Sequence, residues 1–317
     1  MKINAIPFSH CPVHKTHIKI KHMSASELKK QDLNLKNICT VALANKNIYF
    51  GSYEFNKTTT GHIHRYNTAE NTVKKSTKTS GTFHILKYHQ YIIALNKTDI
   101  SLFSHELDLI FKLETGHMNI FGEIIRNGTI NPAENYLFVT ADDGSVYIFS
   151  LKDASIDLIK KIRVTEGIIW SMKKYKDLIF FGTDNCEMVI YEYKNIFDNP
   201  LELKRIKTES APTFFNTIGD DFFILTYNKF YRFDEQNHVI TVLEGVIGGW
   251  RFYPLKDVYD SYFVILNDEG CHVFEKGSFK LFRTFKTKSN CYSFLQIDGS
   301  VCYSAFYCDT VYFRSIL

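Results

Sequence analysis

The side chains best suited to chemistry are few, and they lie far apart along the chain. His117, Glu166 and Glu244 are proton acceptors, Arg251 is a fixed cation, and His84 and Trp250 are candidate neighbours. A base that orients water, beside a cation that neutralises an oxyanion, would serve ester cleavage. A plainer account has Trp250 packed between sheets and Arg251 paired with an acid. Familiar signatures are missing: there is no GxSxG elbow, Walker loop, GxGxxG fingerprint or HExxH. Metal-ligand spacing is equally poor, since Cys302 and Cys308 are six apart and Cys11 with His14 forms a weak pair. His62 and His64 share a strand face by the two-residue period. Two histidines do not complete a zinc site, so structural roles are expected and no metal or cofactor is assigned. Asp142, Asp143 and Asp184 read as turn and strand-cap residues.

For groups so distant to meet, a repeated architecture must bring its loops to one place. The chain supplies a repeat: an aromatic strand, a short polar turn and a second strand. It runs as NIYFGSYEFNKTTTGHIHRY to Tyr66, YIIALNKTDISLF to Phe103, YLFVTADDGSVYIF to Phe149 and LIFFGTDNCEMVIY to Tyr191. FFILTYNKFYRF to Phe233, YFVILNDEGCHVF to Phe274 and SVCYSAFYCDTVYF to Phe313 follow. The end points lie 37, 46, 42, 42, 41 and 39 residues apart, the period of a propeller blade. Asp143-Gly144 and Glu269-Gly270 sit where a hairpin needs positive φ, and Asn185 and Asn228 occupy the equivalent turns.

Each pair is preceded by a further strand candidate: NICTVAL, TFHILKY, GTINP, GIIWSMKK, APTFFNTI, GGWRFYP and NCYSFLQI. The first six are also followed by one, such as LIFKLET, IDLIKKIR, LELKRIK or HVITVLEG. Four-stranded sheets with two apolar faces cannot survive singly, but a ring of them can. The expected fold is all-β: one seven-bladed, WD40-like β-propeller spanning residues 1–317. Six or eight blades are the alternatives, because weak strands are easily miscounted. Only four residues follow Phe313, so the N-terminal strand at about residues 16–22 is expected to complete the last blade; a disordered arm is the alternative. Residues 23–37 read as a short helical turn or loop. Trp170, Ile179, Phe181, Val189, Tyr147, Val139, Phe223, Val264 and Tyr312 are the expected core.

Composition narrows the partners. The chain has 317 residues, 45% hydrophobic, with 15% aromatics and 6 prolines, which excludes general disorder. Its net charge of +4 is mild and scattered, so direct nucleic-acid binding is not expected. The basic stretches Lys15–Lys21 and Lys280–Lys288 read as amphipathic strands with solvated lysines, with a phosphate-binding surface as the alternative. No apolar run approaches 18 residues, so no membrane span is expected. Seven scattered cysteines suit buried thiols in a reduced, cytoplasmic protein, expected to be monomeric.

Several segments also carry a resemblance. FGSYEF (Phe50 to Phe55), EGIIWSMKKYKDLIFFGTDNCEMVIYEY (Glu166 to Tyr193), GGWRFYP (Gly248 to Pro254) and CYSAFYCDTVYF (Cys302 to Phe313) are similar, in order, to motifs of the WD-repeat diphthine methylesterase family, also called diphthine methyltransferase. The departures are GTDN in place of a GGDD turn, Tyr253 in place of a Trp, and no WD dipeptides. The resemblance implies hydrolysis of the methyl ester of methylated diphthine, with elongation factor 2 as protein substrate, in diphthamide biosynthesis. On that basis Glu166 or His117 would be the base and Arg251, with backbone N–H groups, the oxyanion support. The rival class is a noncatalytic propeller that scaffolds a multiprotein complex.

Overall fold

The computed structural model describes residues 33, 35, 37–54, 60–126, 135–152, 154–234, 239–245, 248–256, 259–287, 290–297, 300–305 and 310–315. Seven antiparallel sheets follow one another along the chain, at residues 38–79, 82–114, 119–163, 169–207, 212–244, 251–286 and 291–315. The first six have four strands, each hydrogen-bonded to the next in sequence, and the seventh has three. The seven inner strands are Ile38–Ala44, Thr82–Tyr88, Asn119–Arg126, Ile169–Tyr175, Pro212–Ile218, Arg251–Pro254 and Cys291–Ile297. Each packs beside the next, and the seventh packs beside the first, which makes a seven-bladed ring.

The blades stay together because both faces of every sheet are apolar. Phe180 and Phe181 are adjacent in one strand and point to opposite faces, yet both are fully buried. Phe180 packs with Phe215, Phe222 and Phe233 across the fourth and fifth blades, at centroid distances of 4.4 to 6.2 Å. Burying one such ring contributes about 2–3 kcal/mol, and no single blade can bury both faces. Outer strands relax this demand: Leu109, Leu158, Leu203 and Leu281 stand exposed among lysines and glutamates. Lys280–Lys288 contains such an outer strand, Leu281–Lys286.

Turn chemistry largely follows expectation. Gly144 has φ of 77°, and a Cβ there would lie 2.2 Å from the Thr165 carbonyl oxygen, so only glycine fits. In the equivalent fourth-blade turn, however, Cys186 and not Asn185 takes the left-handed position, at φ 56°. Asn185 instead donates from its side chain to Thr165 Oγ1 at 2.8 Å.

Three expectations need correction. The inner strand of the third blade is Asn119–Arg126, whereas GTINP falls outside the described residues. NIFGEIIR was overlooked because Gly122 and Glu123 interrupt its apolar run. The second correction concerns the last blade: it is not closed by an N-terminal strand. No sheet is closed around the ring by hydrogen bonds among the described residues, and the seventh sheet keeps three strands. The N-terminal contact is one bridge, Leu33 N to Val311 O at 3.1 Å and Val311 N to Leu33 O at 3.0 Å. By Ile38 the chain has already entered the first blade, so among the described residues one bridged residue precedes it. Side chains join the seam instead: Ile38, Phe50 and Tyr66 of the first blade cluster with Ile297, Val311 and Phe313 of the seventh. Residues 16–22, and most of 23–37, lie outside the described residues. Third, Trp170 and Tyr312 are only partly buried, while the other seven expected core residues are buried.

Candidate functional site

Trp170 is not wholly buried because of a feature shared by all the inner strands. Six of them carry a register shift near the start, where one residue is extra: Cys39, Phe83, Ile120, Trp170, Thr213 and Tyr292. In the sixth blade Trp250 holds the same place, since its N–H reaches Leu266 O at 2.9 Å while Arg251 opposes Leu266 in the ladder. A bulge re-aims a side chain without breaking the strand. All seven bulge residues line one cavity on the ring axis, of about 260 Å³, together with Met118, Ile168 and Arg251.

The wall is aromatic and pinned. Trp250 stacks on Tyr292 at 4.7 Å and meets Trp170 edge-on at 6.5 Å. Its indole N–H donates to Asp268 Oδ1 at 2.7 Å, and Tyr227 donates to the other oxygen at 2.8 Å. Arg251 is half-buried, its guanidinium carbon 5.3 Å from the Phe214 ring centroid and 5.5 Å from that of Phe121. Such ring faces attract a cation but do not use up its N–H donors. Arg251 does not pair with an acid among the described residues, contrary to the plainer sequence account. Among the described residues its side-chain hydrogen-bond partner is the Tyr253 hydroxyl.

Neighbouring groups are kept neutral. Burial pushes the Cys39 thiol up, more than the Arg251 charge lowers it, so it stays protonated and a poor nucleophile. Burial, reinforced by the Arg251 charge, holds the His84 imidazole down at about 3. His84 stacks on Phe121 at 4.5 Å, and its Nδ1 accepts the Gly122 N–H at 3.2 Å. Both sit beside Arg251 in a smaller adjoining recess.

The other candidates lie elsewhere. The Glu166 side chain is 91% exposed and pairs with Arg163 at 2.7 Å. His117 stacks on Tyr147 at 3.9 Å, with its Nε2 buried and unpartnered. Burial lowers its pKa, against the pull of Asp143 and Asp142. Glu244 is exposed, 3.5 Å from Lys229. None of the three lines the cavity that Arg251 lines. Asp143 serves the third-blade turn, accepting from Ser145 N–H, Tyr147 and Lys161. Sequence reasoning placed Arg251 and Trp250 near the axis but missed Cys39, Phe83, Thr213 and Tyr292. Their common signal is the second place in each inner strand, which becomes visible only once the seven strands are aligned.

Among the described residues, no three His, Cys, Asp or Glu side chains are grouped to hold a metal ion. No helix there is long and apolar enough to cross a membrane. The five described cysteines are free thiols.

Comparison with known proteins confirms the architecture. Chains of solved structure that share the fold number 1353, among them the computationally designed protein Ika8. Its crystal structure aligns with a TM-score of 0.64 at 10% identity, over 90% of this chain and 98% of that one. At such identity the likeness is one of fold alone. No family model and no curated protein matches the chain, so nothing here ties it to the diphthine methylesterases in particular.

Proposed function

We propose that this WD40-like propeller is a noncatalytic scaffold that binds partner proteins and recognises them through its axial cavity. Propellers serve many functions, so the fold does not decide the matter and the site must. One observation carries the reading: all seven blades contribute to one apolar cavity holding a single guanidinium, while the two proposed bases lie outside it. That is the equipment of a receptor. A second reading, methyl-ester hydrolysis on elongation factor 2, is favoured by the place of Arg251 in an open cavity, but the imidazole beside that residue, His84, is held down at about 3 and is a weak base.

Affinity purification with wild-type protein and with Trp250→Ala and Arg251→Gln tests the proposal. Defined partners are expected with the wild type and lost with both variants; Arg251→Gln keeps its thermal melt, so its loss is not one of folding. Equal recovery with all three proteins would remove the cavity from recognition. Methanol release from elongation factor 2 bearing methylated diphthine, abolished by Arg251→Gln, would replace the scaffold reading with the hydrolase.

A further inference from the structure

The axial cavity has a defined charge and shape, and together they narrow what it can hold. Its wall is built from Phe83, Ile120, Trp170, Trp250 and Tyr292, and its one ionised group is Arg251. Resting on the scaffold reading, we propose that the cavity receives the C-terminal residue of a partner protein, its carboxylate on Arg251 and an apolar side chain against the tryptophans.

Charge fixes the first part. A guanidinium between Phe121 and Phe214 retains N–H donors that no carboxylate of this chain satisfies among the described residues. Arg presents its donors as a planar fork matched to a carboxylate. One fixed cation balances one negative charge, so a dianion such as phosphate would leave charge uncompensated against an apolar wall. His84 cannot supply a second positive charge, since it remains neutral beside Arg251.

Shape fixes the second part. Inner strands of all seven blades surround the site, so a mid-chain segment would have to thread the ring or double back, whereas a chain end only enters. A cavity of about 150 Å³ already admits benzene; one of about 260 Å³ has room for a large apolar side chain together with its own carboxylate. A terminal leucine or phenylalanine places both groups on a single Cα.

The chain contains 2 tryptophans, Trp170 and Trp250, and both line the cavity, so intrinsic fluorescence reports on its occupancy. Full-length protein is titrated with N-acetyl-glycyl-leucine as the free acid, its C-terminal amide, N-acetyl-glutamyl-leucine amide and inorganic phosphate. The free acid should give a saturable spectral change and bind at least about 10-fold tighter than either amide, the scale of a charged hydrogen-bonded pair. Phosphate should not compete. Arg251→Gln should lower free-acid affinity to that of the amide, with Arg251→Lys intermediate. Equal binding of acid and amide, stronger binding of the glutamyl peptide, competition by phosphate or no saturable change would each overturn the inference. Any of these could occur while cavity variants still lose their partners, in which case the scaffold reading survives with a different ligand. If the cavity variants keep their partners, recognition through the cavity fails, and with it both the proposed function as stated and this inference.

Discussion

Asp99, at the junction of the second and third blades, and Arg251, on the ring axis, are both drawn out of bulk water but are served very differently. Asp99 has a side chain only 2% exposed, and its oxygens accept from Asn96 at 2.7 Å, Ser80 at 2.8 Å and Ser101. Around it Thr82 donates to Asn96 at 2.8 Å, and Asn119 donates to the Asn96 carbonyl at 2.7 Å. Lys112 adds an ion pair at 3.9 Å, so the Asp99 carboxylate is served entirely by this chain; of the side chains around it, Asn119 keeps one buried oxygen without a partner among the described residues. Arg251 has two aromatic faces, one tyrosine hydroxyl and no carboxylate among the described residues. A satisfied buried charge holds blades together; a cation with donors to spare, open to a cavity, is poised to bind.

The sharpest way to break this contrast is to remove the satisfied charge. Asp99→Ala leaves several buried donors without an acceptor and should cost about 3 kcal/mol or more in chemical denaturation. A loss below about 1 kcal/mol would mean that the network is ornamental. The second test uses pH in the recess that adjoins the cavity. His84 has an ordinary value near 6.5 and a folded value of about 3, so between these values the unfolded chain binds the extra proton. Its stabilising contribution is complete above about 6.5 and is lost as pH falls toward 3. His84→Asn keeps an acceptor for the Gly122 N–H and should flatten part of that decline in melts from pH 7 to 4. His64, held at about 4 chiefly by burial, accounts for some of the remainder. An unchanged slope would show that His84 does not stay neutral.

Smaller effects sharpen the comparison. Ser80→Ala removes one of three side-chain donors to Asp99 and should cost about 1 kcal/mol in the same denaturation series. Arg251→Met should shift stability least, within about 1 kcal/mol and upward if at all, because it removes a half-buried cation that no acid pairs among the described residues. A loss of several kcal/mol would instead make Arg251 a structural residue. The two sites should therefore rank oppositely, with Asp99 dominating stability and Arg251 dominating partner binding.

Much of the architecture could be read locally. The blade period, hairpins such as Asp143-Gly144, and strands such as YLFVTA and LIFFGT follow from alternation and turn chemistry, which act over a few residues. The third inner strand escaped because Gly122 interrupts it and Glu123 is engaged elsewhere, accepting from Lys173 at 2.6 Å across the blade interface. Closure escaped because a seam is decided by which side chains meet when the ring comes round, and here Phe50, Tyr66 and Phe313 meet there.

The candidate site marks the boundary between the two kinds of information. Strand order, the blade period and most of the turns are properties of neighbours in sequence, and the chain specifies them unaided, whereas the count of seven is fixed when the last blade meets the first. Whether Glu166, His117 and Arg251 meet depends on bulges and crossing angles in three different blades, since residues about 40 apart are brought together only by the closed ring. The tertiary structure sends Glu166 to the surface and His117 against Tyr147, and leaves Arg251 on the axis among seven bulge residues.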